Sequence, residues 1–415
     1  MRPTLWRAAT VSAAALMITA GVALAASHYD TGATNKEIKI GNIMPYSGPA
    51  SAYGVIGRVE AAYFRKINDE GGINGRKIDF ISYDDGYSPP KTVEEARKLV
   101  EDDGVLLIFN SLGTPTNTAI RHYMNEQKVP QLFVATGATK WNDPKAYPWT
   151  MGWQPSYQTE AGIYAKYILK NKPNAKIGVL YQNDAYGQNY LNGLKTGLGA
   201  HKSAIVDAES YNLTDSAQVI AAHELAMEKA GADTFVIFAT PQAAIYALID
   251  RGAIGWSPLT IVNNVSANRL FLLSAGQNGA SLNGVISTGY TASPTVQANL
   301  KGMQFGKQII AKYAPALNSS WAEGDGNLVY GLAVAWTFVD ALKHAGKNPT
   351  RASLMKALRN LNESGKNKNP FVYPGMNVKT SKSRTFPMEQ LKLEKWEGGK
   401  GGDWHSFGKL YTGIH

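Results

Sequence analysis

Three loops of this chain carry the residue types that hold an anion. Ile43-Met44-Pro45-Tyr46-Ser47-Gly48-Pro49, Asn110-Ser111-Leu112-Gly113-Thr114-Pro115 and Ala135-Thr136-Gly137-Ala138-Thr139 each leave a short apolar run. Glycine permits close approach of a ligand to the backbone, and hydroxyls donate to it. The first N–H groups of a helix lack internal partners and sit at its positive end. Pro115 suits a first helical turn, where its missing N–H costs nothing. Ser and Thr also serve as plain helix caps, so any one of these loops alone says little. Their recurrence at strand ends carries the weight.

Other chemistries leave no pattern. The sequence holds no His-x-x-x-His pair, no Gly-Lys-Ser/Thr phosphate loop and no Gly-x-Ser-x-Gly nucleophile elbow. His122, His201, His223, His344 and His405 are scattered. The absence of cysteine removes thiol nucleophiles, thiolate metal sites and disulfides. Asp84-Asp85 reads as a strand-end cap, because adjacent residues of an extended chain face opposite ways. No catalytic residue, metal or cofactor is expected, and the chain does not read as an enzyme. The 42 Lys and Arg against 32 Asp and Glu give +10, spread thinly over 415 residues. Lys366, Lys368, Lys379, Lys382 and Arg384, with Phe371, Tyr373 and Phe386 nearby, read as solvated loops, so no nucleic-acid partner is expected.

The elements that must position these loops follow a repeated order. Residues 1–25 read as a secretory leader: Arg2 and Arg7, an apolar stretch over 8–24, then Ala23-Leu24-Ala25 at the cleavage spacing. Strands are expected over 38–44, 77–83, 105–110 and 131–135, with helices over 51–68, 91–100 and 114–127. A second series has helices over 158–171, 186–198, 217–229 and through 251, with strands over 176–181, 204–210, 234–239, 259–262 and 284–288. Strands apolar on both faces, alternating with helices, predict parallel sheets covered on both sides. Two such series imply two α/β lobes, with a hinge at the aromatic, proline-rich stretch 147–155. Helices are expected over 296–313, 328–344 and 351–360, a late strand over 388–396, and a mobile glycine turn over 398–402.

The residues Ile40-Gly41 through Ser47-Gly48-Pro49, Ile67-Asn68 through Gly71-Gly72-Ile73-Asn74-Gly75-Arg76, Asp84-Asp85, Val129-Pro130, Gly187, Gly331-x-x-x-Ala335 and Ala345-Gly346 form one pattern. It closely resembles the periplasmic branched-chain amino-acid-binding protein family of ABC transporters, over most of the chain. The resemblance implies a type I periplasmic binding fold: two doubly wound parallel-sheet lobes joined by a three-stranded hinge that closes on a ligand. Lobe one would comprise residues 36–154 plus 286–375, and lobe two 155–285 plus 376–415. A carboxylate would dock against Leu112, Gly113 and Thr114, then Ala135, Thr136 and Gly137, with Ser47 in the pocket wall and Tyr186 closing over it. Partners would be a small organic acid and a membrane permease complex, the protein acting as a periplasmic monomer.

One departure shapes the expected ligand. Relatives place an acid for the α-ammonium just after the strand at 234–239, where this chain has Thr240-Pro241-Gln242-Ala243. A buried ammonium without a carboxylate is costly. Neutral Gln242 therefore weakens an amino-acid ligand and leaves a small organic acid with an apolar or aromatic body. The chain also looks like the subgroup of that family whose ligands include aromatic carboxylates. Trp141, Trp149 and Trp153, near the hinge, read first as packing of lobe against crossover, with stacking on the ligand as the alternative. Branched-chain or other hydrophobic amino acids, or a sensing role, are the alternative. Glu224 and Asp250 are the remaining acidic candidates, and no motif places either in the cleft.

Overall fold

A computed structural model describes residues 29–382 and 384–413. The expected leader, 1–25, lies outside the described residues.

The first sheet is parallel throughout, in the order β2-β1-β3-β4-β5. Its strands are β1 (Glu37–Met44), β2 (Lys77–Asp84), β3 (Leu107–Phe109), β4 (Gln131–Val134) and β5 (Thr150–Gly152). Helices α1 (Val55–Asp69), α2 (Pro89–Arg97) and α3 (Thr114–Glu126) connect them. Every residue of β3 and β4 is buried, which is why those runs carry no polar alternation. At the end of β3, Asn110 turns the chain at φ +49, a conformation asparagine tolerates better than bulkier residues.

The second unit alternates α4 (Tyr157–Asn171), β6 (Ile177–Gln182), α5 (Ala185–Leu198), β7 (Ile205–Tyr211), α6 (Ala217–Lys229) and β8 (Thr234–Phe238). It continues through α7 (Pro241–Ala253), β9 (Leu259–Val262), α8 (Arg269–Gln277) and β10 (Ile286–Gly289). The chain then returns to the first unit as α9 (Lys301–Tyr313), α10 (Asn318–Ala322), α11 (Gly326–His344) and α12 (Arg351–Leu358), with a small ladder of β11 (Asn362–Glu363) and β12 (Val378–Lys379). It closes with the antiparallel strands β13 (Gln390–Glu397) and β14 (Asp403–Thr412), giving the order β14-β13-β10-β9-β8-β6-β7. The type I periplasmic binding fold with two mainly parallel lobes is thus the observed architecture.

Helix α11 lies directly on α1. A Cβ at Gly331 would stand 2.5 Å from Val59 Cγ1 and 3.2 Å from the Ile56 carbonyl, so a larger residue would push the helices apart. Because α11 is apolar on nearly every face, it reads as a buried helix and forms part of lobe one's core.

The chain passes between the units after β5, after β10 and before β13. The Met388 N–H donates to the Trp153 carbonyl at 3.0 Å, tying the first passage to the third. The second and third passages fall later than the boundaries at 286 and 376. The reason is that β10 pairs with β9 and β13, while β12 pairs with β11 and Phe386 packs on Gly152.

The stretch expected as an ordered crossover and hinge holds β5 and the start of the first passage, with Trp153 fully buried there. Other local expectations are corrected. The glycine turn at 398–402 is pinned rather than mobile: the Gly399 N–H donates to Asn283 Oδ1 at 2.8 Å, and its carbonyl accepts from Trp396 Nε1 at 2.7 Å. Helix α9 starts at Lys301 rather than 296, and α8 and β14 were not anticipated. Phe371, Tyr373 and Phe386 are buried, which removes them as base-stacking surfaces.

Candidate functional site

The ends of the strands from both units face one cavity of about 130 Å³. That is room for on the order of ten water-sized groups, the scale of a small amino acid. Lobe one contributes Leu112, Gly113, Thr114 and Ala135 from the loops after β3 and β4. Gly113 has φ +105, and the first turn of α3 starts immediately behind it, so the unpaired N–H end of that helix faces the cavity wall. Thr114 and Thr136 share a 2.5 Å hydrogen bond between their hydroxyls. Thr136 is fully buried and forms a second layer behind Thr114, where it also accepts from Trp141 Nε1 at 3.3 Å.

The other expected residues divide. Gly137 lies beneath the first passage, its carbonyl accepting from the Tyr157 N–H at 2.8 Å, and it does not line the cavity. Ser47 is exposed and outside the cavity; its N–H is held by Asp84 Oδ1 at 3.1 Å. The same oxygen accepts from Tyr46 N and Gly86 N, so Asp84 serves as a strand-end cap. Tyr186 lines the cavity, yet its hydroxyl donates to the Ala239 carbonyl at 2.8 Å, leaving the ring as the surface it presents. Gln242 is exposed, its amide donating to the Tyr246 hydroxyl, and it lines a separate crevice with Gly48, Pro49 and Phe271. Its neutrality therefore says nothing about an ammonium inside the cavity.

The tryptophans take the packing role. Trp141 and Trp153 are buried in the core, and Trp149 packs against it; none lines the cavity. The aromatic surface comes from tyrosines instead, among them Tyr53, Tyr87, Tyr157, Tyr290 and Tyr330. Sequence reading passed over these five. No common local signal unites them: Tyr157 opens α4 after the first passage and Tyr290 follows β10, while Tyr53 sits in the turn before α1 and Tyr330 inside α11.

Behind Tyr157 stands a buried carboxylate, Glu160. It accepts from Tyr164 and Tyr190 hydroxyls at 2.7 and 2.8 Å and from the Asn264 N–H at 2.7 Å. Burial pushes its pKa up to about 7 against the pull of those three donors. Tyr190 in turn stacks on Tyr157 with ring centroids 4.3 Å apart, so Glu160 holds both the ring layer and the turn that carries Asn264. Glu224 and Asp250 are not in the cavity; they sit between α6 and α7. Among the described residues no group of His, Cys, Asp and Glu is arranged to hold a metal ion.

The two lobes touch across the cavity mouth. Tyr53 hydroxyl donates to the Val265 carbonyl at 3.1 Å, and Asn189 donates to Thr139 Oγ1 at 3.0 Å. The conformation is a closed one.

The chain is 27% identical to Leu/Ile/Val-binding protein homolog 3 of Brucella melitensis over 225 residues, 52% of this chain and 58% of that protein. It is 29% identical to the leucine-specific-binding protein of Salmonella typhimurium over 189 residues, 45% of this chain and 49% of that protein. It thus spans about half the length of the curated relatives it matches. The structure superposes on a branched chain amino acid ABC transporter protein from Thermus thermophilus with bound valine at a TM-score of 0.79 and 17% identity, covering 91% of this chain and 97% of that one. A fatty acid ABC transporter substrate-binding protein from Thermomonospora curvata superposes at 0.73 with 20% identity, covering 93% and 95%. At such identities the likeness is one of fold, and the fold is shared by proteins named for different ligands. The Leu/Ile/Val and leucine relatives overturn the aromatic-acid subgroup, and the position of Gln242 outside the cavity removes the argument that weakened an amino-acid ligand. The match to the periplasmic binding protein profile runs over residues 37–400, nearly the whole described chain, and shows that the chain belongs to the periplasmic binding protein family, whose members bind solutes in the periplasm rather than transform them.

Proposed function

We propose that this protein is the solute-binding component of an ABC uptake system. In this reading its two lobes close on a small hydrophobic amino acid, with leucine, isoleucine and valine as first candidates, and present the closed form to a membrane permease. The observation that carries the reading is the cavity itself: the N-terminal turn of α3 and the Thr114 hydroxyl on one wall, tyrosine rings on the others. The helix end and hydroxyl suit a carboxylate, and the rings suit an apolar side chain while excluding water. Leu112, Gly113 and Ala135 shape the carboxylate pocket, and Thr136 supports Thr114 from behind. The names of the Leu/Ile/Val and leucine-binding relatives support the choice of side chain.

A thermal-shift panel on protein unfolded and refolded free of ligand tests this, since a ligand that binds only the native state raises the melting temperature by mass action. Stabilisation by leucine, isoleucine or valine is expected. Stabilisation by fatty acids or dicarboxylates, with none from amino acids, would contradict it.

A further inference from the structure

An amino-acid ligand needs a negative partner for its ammonium, and the acids around the cavity can be taken one at a time. Glu160 is saturated by three donors and lies behind the lining. Asp184 caps α5, one oxygen accepting from Tyr186 and Gly187 N–H groups and the other from the Gln182 amide. Asp325 caps α11 and accepts from the Asn268 amide. Asp403 lines the cavity, but Arg269 Nε stands 2.9 Å from it and neutralises its charge. That arginine is further held by the Gly402 and Glu323 carbonyls, so it is not available to a second carboxylate.

Glu394 remains. It comes from β13 of lobe two, lines the cavity, is 7% exposed, and forms no ion pair among the described residues. Its hydrogen-bond partner is the Tyr373 hydroxyl. Its carboxylate lies over the bare backbone of Gly289, where an added Cβ would stand 2.5 Å from the carboxyl carbon; the glycine makes room for the acid. A buried carboxylate without a cation is costly, and a cationic ligand group is what would offset that cost.

We propose that Glu394 is the counter-ion for the ligand's ammonium, taking the role that Gln242 lacks. This rests on the amino-acid reading above. Across the cleft the carboxylate is held by lobe one and the ammonium by lobe two, so a zwitterion bridges the lobes and each of its charges favours closure. Selectivity for amino acids over the corresponding deaminated acids then resides in one side chain.

Calorimetric titration of leucine and of its deaminated analogue 4-methylpentanoate, with wild-type protein and Glu394→Gln, provides the test. The substitution keeps shape and removes charge, and its melting temperature reports folding. Wild type is expected to prefer leucine. In Glu394→Gln leucine binding should weaken about 10- to 100-fold, the worth of a hydrogen bond to a charged group, while 4-methylpentanoate binding should change less than about threefold. Unchanged leucine affinity in the variant, or equal weakening of both ligands, would overturn the assignment to Glu394 and leave the amino-acid reading standing. Wild type that binds 4-methylpentanoate but none of leucine, isoleucine and valine would overturn both.

Discussion

The hydroxyl of Tyr53, in the turn that leads into α1, donates at 3.1 Å to the carbonyl of Val265, in the turn that follows β9. One residue belongs to each lobe, and both line the cavity, so this bond exists only when the cleft is shut. It contributes to closure rather than to the folding of either lobe. Tyr53→Phe keeps the ring and removes the bond, and should weaken ligand affinity about 2- to 10-fold, mainly through faster release. Stopped-flow dissociation measures it. A melting temperature of the ligand-free protein that falls as far as the affinity does would show that the bond serves folding instead.

Thr114→Val removes the hydroxyl at the cavity wall and leaves the fully buried Thr136 without that partner. Affinity for the ligand should drop about tenfold, and stability by about 1 kcal/mol. Thr136→Val should cost comparable stability, because Trp141 also donates to that hydroxyl, but less affinity, since Thr136 does not line the cavity. Parallel titrations and denaturant melts of the two variants separate these effects, and equal losses of affinity would refute the two-layer arrangement.

Gly113→Ala should be the more damaging change at the same loop. The backbone sits at φ +105, which side-chain-bearing residues rarely adopt, and the new Cβ would stand 2.5 Å from Thr116 Oγ1 and 2.6 Å from Tyr87 Cε2, both on buried residues. A loss on the order of 2 kcal/mol is expected, together with loss of detectable ligand binding. Chemical denaturation checks the first and calorimetry the second.

Glu224 sits fully buried between α6 and α7 with neither oxygen hydrogen-bonded, facing Asp250 and Arg251. Burial, and then the charge of Asp250, push its pKa up to about 9. The native state therefore holds a proton that the unfolded chain releases near 4.5. This contribution is fully present below that value and is lost as pH rises toward 9, so stability falls across the interval. Glu224→Met should flatten that slope and raise stability at pH 8 by about 1–3 kcal/mol. Urea melts at several pH values between 5 and 9 measure it; an unchanged slope would refute the burial argument.

Glu394 gives a matching pH dependence for the ligand. Burial raises its carboxyl to about 7 against the Tyr373 hydrogen bond; Asp403 adds to the rise and Lys392 opposes it. Only the ionised form attracts an ammonium, so affinity for amino acids should weaken as pH falls from 8 to 5.5. Affinity constant across that range would contradict the role.

The alternation of apolar strands with helices made the two lobes legible in the sequence, because strands such as β3 and β4 are buried on both faces and are mainly apolar, with the one polar member, Gln131, hydrogen-bonded to Asn117. The loop after β3 was legible for a related reason: Gly113, Thr114 and Pro115 have few uses together other than opening a helix. The tyrosine wall was not legible. Tyr53 and Tyr290 reach the cavity only because three separate passages bring distant segments together, and nothing local marks them. Gln242 misled in the opposite way, since it follows β8 closely in the chain but the first turn of α7 carries its side chain to the surface. Glu394 was hidden in a strand whose pairing with β10 sets it over Gly289, a relation visible only in three dimensions.

In the proposed function the closed cleft holds a small hydrophobic amino acid by its carboxylate at the N-terminal turn of α3. Calorimetric titration of leucine, isoleucine and valine into ligand-stripped protein decides the matter. Saturable one-to-one binding of at least one of them, weakened by Thr114→Val, is expected; absence of binding by all three, or binding indifferent to that substitution, would refute the assignment.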